Sequence, residues 1–408
     1  MNILILVPYT PNLIRTRPYN FLRGLLRRGN VLTLATLWEN EAERASLREM
    51  EQAGIRVIAS RLTKVRSASN ILSALPTQTP LQAVYCWQPD LMRQVDAAIQ
   101  HQRFDAIHVE HLRGARYGVQ IKSRLKSKVR PVFVWDSVDC ISHLFEQAAH
   151  GSRRLISRLI TRLELNRTRR YEGWLTGQFD RVVVTSPVDR AALEKLATRA
   201  NGSAAPINVV PNGVDLDFFT PRDQIRDTGT MVFSGKMSYH ANVTAVLYLL
   251  DEIMPLVWAH RRDVRVQIVG KDPPTSIQQR AAQLPNQVTV TGTVPDIRPY
   301  LARATIAVSP VKYGAGIQNK VLEAMAMATP VVVTPQAVSA LQARADEHIL
   351  IGATPQEFAN QVVRALDHPE LQTRLGRAGR AYVESQHDWN RAVEQLEILY
   401  RPNAEHGS

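Results

Sequence analysis

The segment YGAGIQNKVLEAMAMATPVVV, Tyr313 to Val333, sets Gly314 and Gly316 ahead of Lys320 and Glu323 and then runs into apolar residues. Small residues in a loop let a ligand approach main-chain N–H groups, and a helix amino terminus adds a partial positive charge of roughly half a unit. That combination suits a phosphate, with the amides of Gly314 to Ile317 as donors. Lys320 adds a full positive charge. Glu323, one turn on, is an acceptor-only group suited to a pair of vicinal hydroxyls such as those of a ribose. A plain turn after a strand is the simpler reading of the same glycines.

Three further groups stand where strands end. Asp136 and Asp139 in WDSVD follow an apolar run, where a carboxylate takes or orients an acceptor proton, or else caps the next helix. Glu110 and His111 in HVEHLRG occupy a similar place, with a neutral histidine bonded to loop carbonyls as the alternative to proton transfer. Arg15 and Arg17 in NLIRTRPY suit an anionic acceptor group, or a solvated start of a helix. Asp215 and Asp217 in DLD have metal-binding spacing but follow PNGV, which favours a turn. No metal is expected. Cys86 and Cys140 have no metal-type spacing and no disulfide framework, so we expect core or pocket residues.

The elements that must hold these groups alternate along the chain. NILILVPY, VLTLATL, IRVIAS, FDAIHVEH and PVFVWDS are apolar runs separated by helical patterns; after INVVPNGVDLDFFTP the alternation restarts with TMVFSGK, VRVQIVG, QVTVTG, TIAVSP and PVVVTP. Continuous aliphatic runs are strands buried on both faces, the mark of parallel sheets covered by helices. The expected fold is α/β, two Rossmann-like domains facing each other across a cleft, with the chain's 408 residues suiting two domains. The expected boundaries are 1–215 and 216–385, with a closing helix, 386–402, returning to the first domain. Hydrophobic content of 45% and charged content of 21% fit a globular protein, and the apolar runs fall short of the roughly 20 residues of a membrane span. MNILILVPYTP lacks a basic leader and a small-residue cleavage site, so a cytoplasmic protein is expected.

The segments NVVPNGVDLDFF, MVFSGKMSYHANVTAV, VQIVGKDPP, VTVTGTVPDIRPYLARATIAVSP and GAGIQNKVLEAMAMATPVVVT resemble, in order and spacing, the carboxyl-terminal half of glycosyltransferase family 4, and within it the bacterial transferases of exopolysaccharide and exosortase gene clusters. The amino-terminal half is similar in layout but looser. The resemblance implies a GT-B fold, a nucleoside-diphosphate sugar donor on the second domain, an acceptor on the first, and transfer with retention. It places Gly235 and Lys236 where the family neutralises the diphosphate, with Asn242 near a second cation's usual place, and Val294 among donor-binding residues. Of the family's two glutamates only Glu323 is present, the other falling on Ala315. The glycine usual after EAMA is replaced at Ala328, expected as a packing change. Trp135 and Asp136 stand where a histidine often ends the strand.

A leaving diphosphate gathers negative charge as the sugar becomes oxocarbenium-like, so Lys236 and Lys320 are the expected stabilisers, with Asp136 as the catalytic candidate on the acceptor side and Arg15, Arg17, Glu110, His111 and Asp139 around it. The donor's own phosphate can also take the proton. A nucleotide-sugar epimerase and a non-catalytic nucleotide-sugar binder are the alternatives. The net charge of +13 points to an anionic partner. SRRLISRLITRLELNRTRR, from Ser152, sets Arg154, Arg158 and Arg162 on one stripe beside an apolar one, and KSRLKSKVR, Lys122 to Arg130, adds to it. Such a helix suits an anionic membrane face that presents a lipid-linked or saccharide acceptor, or else is an ordinary domain helix. Nucleic acid is not expected, because aromatic residues are not interleaved with the basic ones.

Overall fold

The computed structural model describes residues 1–12, 15–125, 130–149, 155–199, 204–221, 225–313 and 317–402. The chain divides into two compact units, Met1–Pro211 with the chain from Trp389 onward, and Asn212–Asp388.

The first unit holds seven strands, β1 (Asn2–Val7), β2 (Val31–Trp38), β3 (Arg56–Arg61), β4 (Ala106–Glu110), β5 (Val132–Val138), β6 (Arg181–Val184) and β7 (Ile207–Val209), in the order 3-2-1-4-5-6-7. The second holds six, β8 (Asp227–Ser234), β9 (Arg265–Val269), β10 (Val288–Gly292), β11 (Ala304–Ser309), β12 (Val331–Val333) and β13 (Leu350–Ile351), in the order 10-9-8-11-12-13. The pairings are parallel throughout these sheets. Both units are Rossmann-like.

Burial explains the uninterrupted apolar runs. Ile3 to Val7 are at most 1% exposed, with Leu4 and Leu6 packing in one core with Val109 and Trp135 while Ile3, Ile5 and Val7 pack in another with Phe21 and Val134. Each sheet reverses its strand order once, between β1 and β4 and between β8 and β11. At such a reversal the two exit loops diverge and leave a crevice beyond the strand ends, where α/β sheets bind ligands.

The closing helix, Trp389–Leu399, belongs to the first unit and packs on the helix Thr16–Arg27. The Trp389 ring lies 5.5 Å from that of Phe21, and Glu397 accepts from Arg28 Nε and Asn30 Nδ2. Gly24 permits the approach, since a Cβ there would fall 2.4 Å from Val393 Cγ2. In the second unit, His240–His260 is one helical stretch of 21 residues with mean hydropathy 1.3, long and apolar enough to cross a membrane. Its Leu249, Leu250, Ile253 and Val257 are fully buried in the unit's core, which makes it a core helix with a π turn, Leu249–Ile253, in its middle.

Candidate functional site

At the reversal in the second unit β8 leads into Gly235, whose φ of +148° is a conformation that residues with a side chain rarely adopt. Its N–H donates to Val269 O at 3.0 Å, and a Cβ on Gly270, at the exit of β9, would fall 1.7 Å from Gly235 O. The backbone therefore crosses here without room for side chains. A Cβ on Gly235 would lie 2.9 Å from Asn242 Nδ2 and 3.3 Å from Lys320 Cε.

Those two side chains are joined. Asn242, buried on the helix His240–Tyr248, donates Nδ2 to Lys236 O at 2.9 Å and accepts from Lys320 Nζ at 3.0 Å. Lys320, in the first turn of the helix Asn319–Ala326, also donates to Gln318 Oε1 at 3.1 Å. Burial lowers its pKa to about 8 against the opposing pull of Glu323. Glu323 is pushed up to about 7 by burial, with Lys320 opposing. Among the described residues its carboxylate has no hydrogen-bond or ion-pair partner. Lys236 projects an exposed side chain beside them.

Surrounding groups fix the loop and the helix. Tyr313 OH meets His240 Nδ1 at 2.8 Å and Thr244 Oγ1 at 3.0 Å, anchoring the start of the loop that follows β11. Ser309, the last residue of β11, keeps a buried Oγ without a hydrogen-bond partner among the described residues. At the far end of Asn319–Ala326 the helix carbonyls would be orphaned. The N–H groups of Met327, Thr329 and Ala328 take the carbonyls of Glu323, Ala324 and Met325, Arg380 donates to Ala326 O at 2.7 Å, and Arg226 holds Ala328 O, two residues past the helix, at 2.9 Å. Ala328 is not a packing change alone: its φ of +52° is the left-handed conformation that glycine adopts without strain. Ile317 and Val294 are partly buried against the core. Gly314, Ala315 and Gly316 lie outside the described residues. Asp215 forms a turn, accepting from Phe218 N–H at 3.0 Å.

At the reversal in the first unit Tyr9, just past β1, donates its hydroxyl to Glu110 Oε1 at the end of β4. Glu110 is 1% exposed and its Oε2 has no partner among the described residues. Burial and the charge of Asp136 raise its pKa to about 8, so it is neutral at pH 7. His111 has a left-handed backbone, φ +63°, accepts from Arg113 N–H at 3.2 Å, and is held near a pKa of about 3 by burial and Arg113. It too is neutral. Arg15 is partly exposed, donating to Thr10 O at 3.1 Å and lying 3.4 Å from Glu43.

Arg17 and Asp136 correct the expectation. Arg17 Nε donates to Asp136 Oδ2 at 2.7 Å, with the side chains 4% and 0% exposed, and Arg17 Nη1 donates to Val210 O at 2.9 Å. Asp136 Oδ1 accepts from Val138 N–H at 3.1 Å. A carboxylate so enclosed and occupied neither meets an acceptor hydroxyl nor caps a helix, and Arg17 neutralises it instead of an external anion. Nor does Asp139 cap: its Oδ1 accepts from Thr185 Oγ1 at 3.3 Å, and burial, with Asp189 nearby, raises its pKa to about 7. The N–H groups of Ile141 and Ser142, opening the next helix, go to Glu172 at 2.7 and 3.0 Å, and that of Cys140 to Asp189 at 2.9 Å. Between the aspartates Val138 has φ +68° while Asp139 N–H bonds Ser137 O at 2.9 Å. This is a γ-turn on a β-branched residue, a strained conformation of the kind that collects near functional sites.

Three groups escaped the sequence reading. His108, within β4, lies 3.7 Å from Asp136 and 3.0 Å from Tyr400 OH, and burial lowers its pKa to about 4. Tyr9 was signalled only by its place after the first strand. The third is an apolar stripe on the helix Lys64–Ala74, where Val65, Leu72 and the following Leu75 are 80%, 66% and 50% exposed. The basic segment forms the helix Leu155–Leu175, and its Arg167 donates to Leu75 O at 2.8 Å beside that stripe. Arg154 and the side chains of Arg158 and Arg162 lie outside the described residues, as does part of Lys122 to Arg130; Lys122 itself pairs with Asp180 at 2.7 Å. Cys86 and Cys140 are buried free thiols.

Residues 15–218 match the model of the family described as Glycosyltransferase Family 4, and residues 228–368 that of Glycosyl transferases group 1. No curated protein matches the chain in a sequence search. Similar solved structures include a sucrose-phosphate synthase from Thermosynechococcus elongatus, 16% identical with a TM-score of 0.68, covering 98% of each chain. Another is HepE from Anabaena in complex with UDP and glucose, 16% identical, TM-score 0.65, covering 98% of each chain. A third is WaaG, a glycosyltransferase involved in lipopolysaccharide biosynthesis, 14% identical, TM-score 0.62, covering 100% of each chain. At these identities the likeness is one of fold.

Proposed function

The chain belongs to glycosyltransferase family 4 and is a glycosyltransferase, and from that premise we propose that its second unit binds a nucleoside-diphosphate sugar whose sugar passes, with retention, to a hydroxyl acceptor. The observation that carries this reading is the grouping of Gly235, Lys236, Asn242, Lys320 and Glu323 at the β8/β11 reversal. The carboxylate of Glu323, without a hydrogen-bond partner among the described residues, suits ribose hydroxyls, and the ammonium of Lys320 suits the diphosphate. HepE, similar in fold, was solved with UDP and glucose, which supports a nucleoside diphosphate here.

In the proposed step the bond from the anomeric carbon to the diphosphate oxygen breaks and its electron pair leaves with the diphosphate. The acceptor oxygen bonds the same face of the sugar, and its proton passes to the departing phosphate. Lys236 and Lys320 stabilise the charge that develops, in place of a metal. Asp136 positions Arg17 and is not the base.

The acceptor, a saccharide or a lipid-linked sugar of bacterial polysaccharide or glycolipid synthesis, is assigned to the first unit around Glu110, His111, Arg15 and Asp139. The apolar stripe Val65, Leu72 and Leu75 beside the basic helix supports a peripheral position on the cytoplasmic face of an anionic membrane.

One assay tests the whole reading. The protein is incubated with a panel of nucleotide sugars, and free nucleoside diphosphate is followed with and without saccharide acceptors or a lipid extract. Acceptor-stimulated release with a product of unchanged anomeric configuration is expected. Acceptor-free isomerisation would instead mean an epimerase, and binding without release a sensor. Sedimentation with anionic but not neutral vesicles, weakened by salt and by Val65→Ser with Leu72→Ser, is expected for the membrane assignment, and indifference to lipid charge removes it.

A further inference from the structure

The outer edge of β3, from Val57 to Arg61, and the end of β2 line a separate open groove in the first unit, about 880 Å³ in volume, between the helices Glu41–Gln52 and Pro89–His101. Trp38 and Arg61, the last residues of the two strands, are partners in register. The Trp38 ring is approached by two guanidinium groups, Arg44 at 5.3 Å and Arg61 at 5.4 Å. The strand end is held in place, because Gln88 Nε2 donates to Arg61 O at 2.8 Å and Gln94 Nε2 to Ser60 Oγ at 3.0 Å.

Charge in the groove is unbalanced. Arg44, Arg48, Arg61 and Arg93 line it against the carboxylates of Glu51 and Asp90. Arg93 pairs with Asp90, and Arg44 lies 3.8 Å from Glu41. Arg48 and Arg61 have no ion-pair partner among the described residues, so their planar forks remain available to an anion. The walls are mainly polar and the groove is open, which suits a sugar chain and not an acyl chain.

We propose that this groove binds an anionic saccharide segment of the acceptor, with carboxylate or phosphate substituents on Arg48 and Arg61 and a sugar ring against Trp38. The proposal rests on reading the first unit as the acceptor side. The Arg61 end of the groove lies on the same rim of the sheet as Glu110, which ends β4, three strand positions away. At strand spacing that is about 14 Å, a span an extended oligosaccharide bridges. The anionic segment then holds the growing chain while its far end reaches the β1/β4 reversal.

Calorimetry of the full chain without donor tests it, using a short oligouronate, an uncharged malto-oligosaccharide of the same length, inorganic phosphate and anionic vesicles as probes. Oligouronate binding that exceeds malto-oligosaccharide and phosphate binding, and that weakens at least about tenfold in Arg48→Gln/Arg61→Gln, is expected from the loss of charge-assisted contacts. Trp38→Leu should weaken the oligouronate but not inorganic phosphate. Equal binding of charged and neutral sugars, insensitivity to the arginine pair, or phosphate binding as tight as oligouronate overturns the proposal. Loss of vesicle binding alone in the arginine variant also overturns it and gives the groove to lipid. Diphosphate release stimulated by a neutral saccharide acceptor, read in the same variant, separates the two assignments: release that persists while the groove fails leaves the transferase reading intact, and oligouronate binding by a chain that never releases diphosphate upholds the groove alone.

Discussion

Asn242 Oδ1 accepts a hydrogen bond from Lys320 Nζ at 3.0 Å while its Nδ2 donates to Lys236 O at 2.9 Å. One amide thus aims an ammonium from one helix and fixes the backbone that presents a second lysine. A flexible lysine stem is costly to order, and the amide orders it before any ligand arrives.

Lys320→Ala should lower kcat/KM by roughly 3 to 4 kcal/mol, the scale of one lost charge-stabilising donor, while leaving the affinity for a free nucleoside unchanged. Asn242→Ala should reproduce part of that loss, and the double variant should lose less than the sum of the two. Additive losses would mean that the asparagine acts on folding and not through the lysine.

The two ionisable groups here predict the pH dependence of nucleoside-diphosphate binding. Glu323, near 7, must be ionised to accept from both ribose hydroxyls at once, so affinity should fall as pH drops through about 7; Lys320, near 8, must be protonated, so affinity should fall again as pH rises through about 8. Calorimetry across this range should give a bell. Glu323→Gln should abolish the acid limb, and Glu323→Ala should weaken binding at neutral pH by roughly 1.5 to 3 kcal/mol. A flat profile would detach both residues from the ligand.

The buried pair Arg17 and Asp136 should behave as structure. Arg17→Met leaves Asp136 charged and enclosed and should cost about 3 to 5 kcal/mol in chemical denaturation, whereas Arg17→Met with Asp136→Leu should recover most of it. A double variant no more stable than the single one would show that the arginine acts through another contact, such as Val210 O.

The strands are legible because a parallel sheet writes itself as apolar runs: NILILV and TIAVS read as strands, and both are buried, from Ile3 to Val7 and from Thr305 to Ser309. Lys320 and Glu323 were legible because helical spacing fixes their relation. Arg17 was not, since the partner that buries it lies 119 positions away, and a sequence carries no sign of which arginine a fold will enclose. The left-handed backbones of His111 and Val138 were hidden for a related reason: tertiary packing imposes them on residues whose own preference is otherwise. Nothing in the sequence marks Val65, Leu72 and Leu75 as an exposed stripe, because exposure is decided by what fails to pack against it.

Glu110 gives the last prediction. Its folded pKa of about 8 stands above the ordinary 4.5, through burial first and the charge of Asp136 second. A raised carboxyl pKa means that the folded state holds its proton where the unfolded chain has lost it. The stabilisation is therefore complete below about pH 4.5 and is lost as pH rises towards about 8, at up to about 1.4 kcal/mol per pH unit. Glu110→Gln keeps an oxygen to accept from Tyr9 OH but does not titrate. Denaturation at several pH values should show the wild type losing stability relative to the variant between about pH 5 and pH 8, with the gap closing below that window. Asp139 and Glu172, raised to about 7, titrate in both proteins and cancel in the comparison. Parallel curves would show that Glu110 is ionised in the folded protein, and the neutral, proton-bearing carboxyl at the β1/β4 reversal would have to be given up.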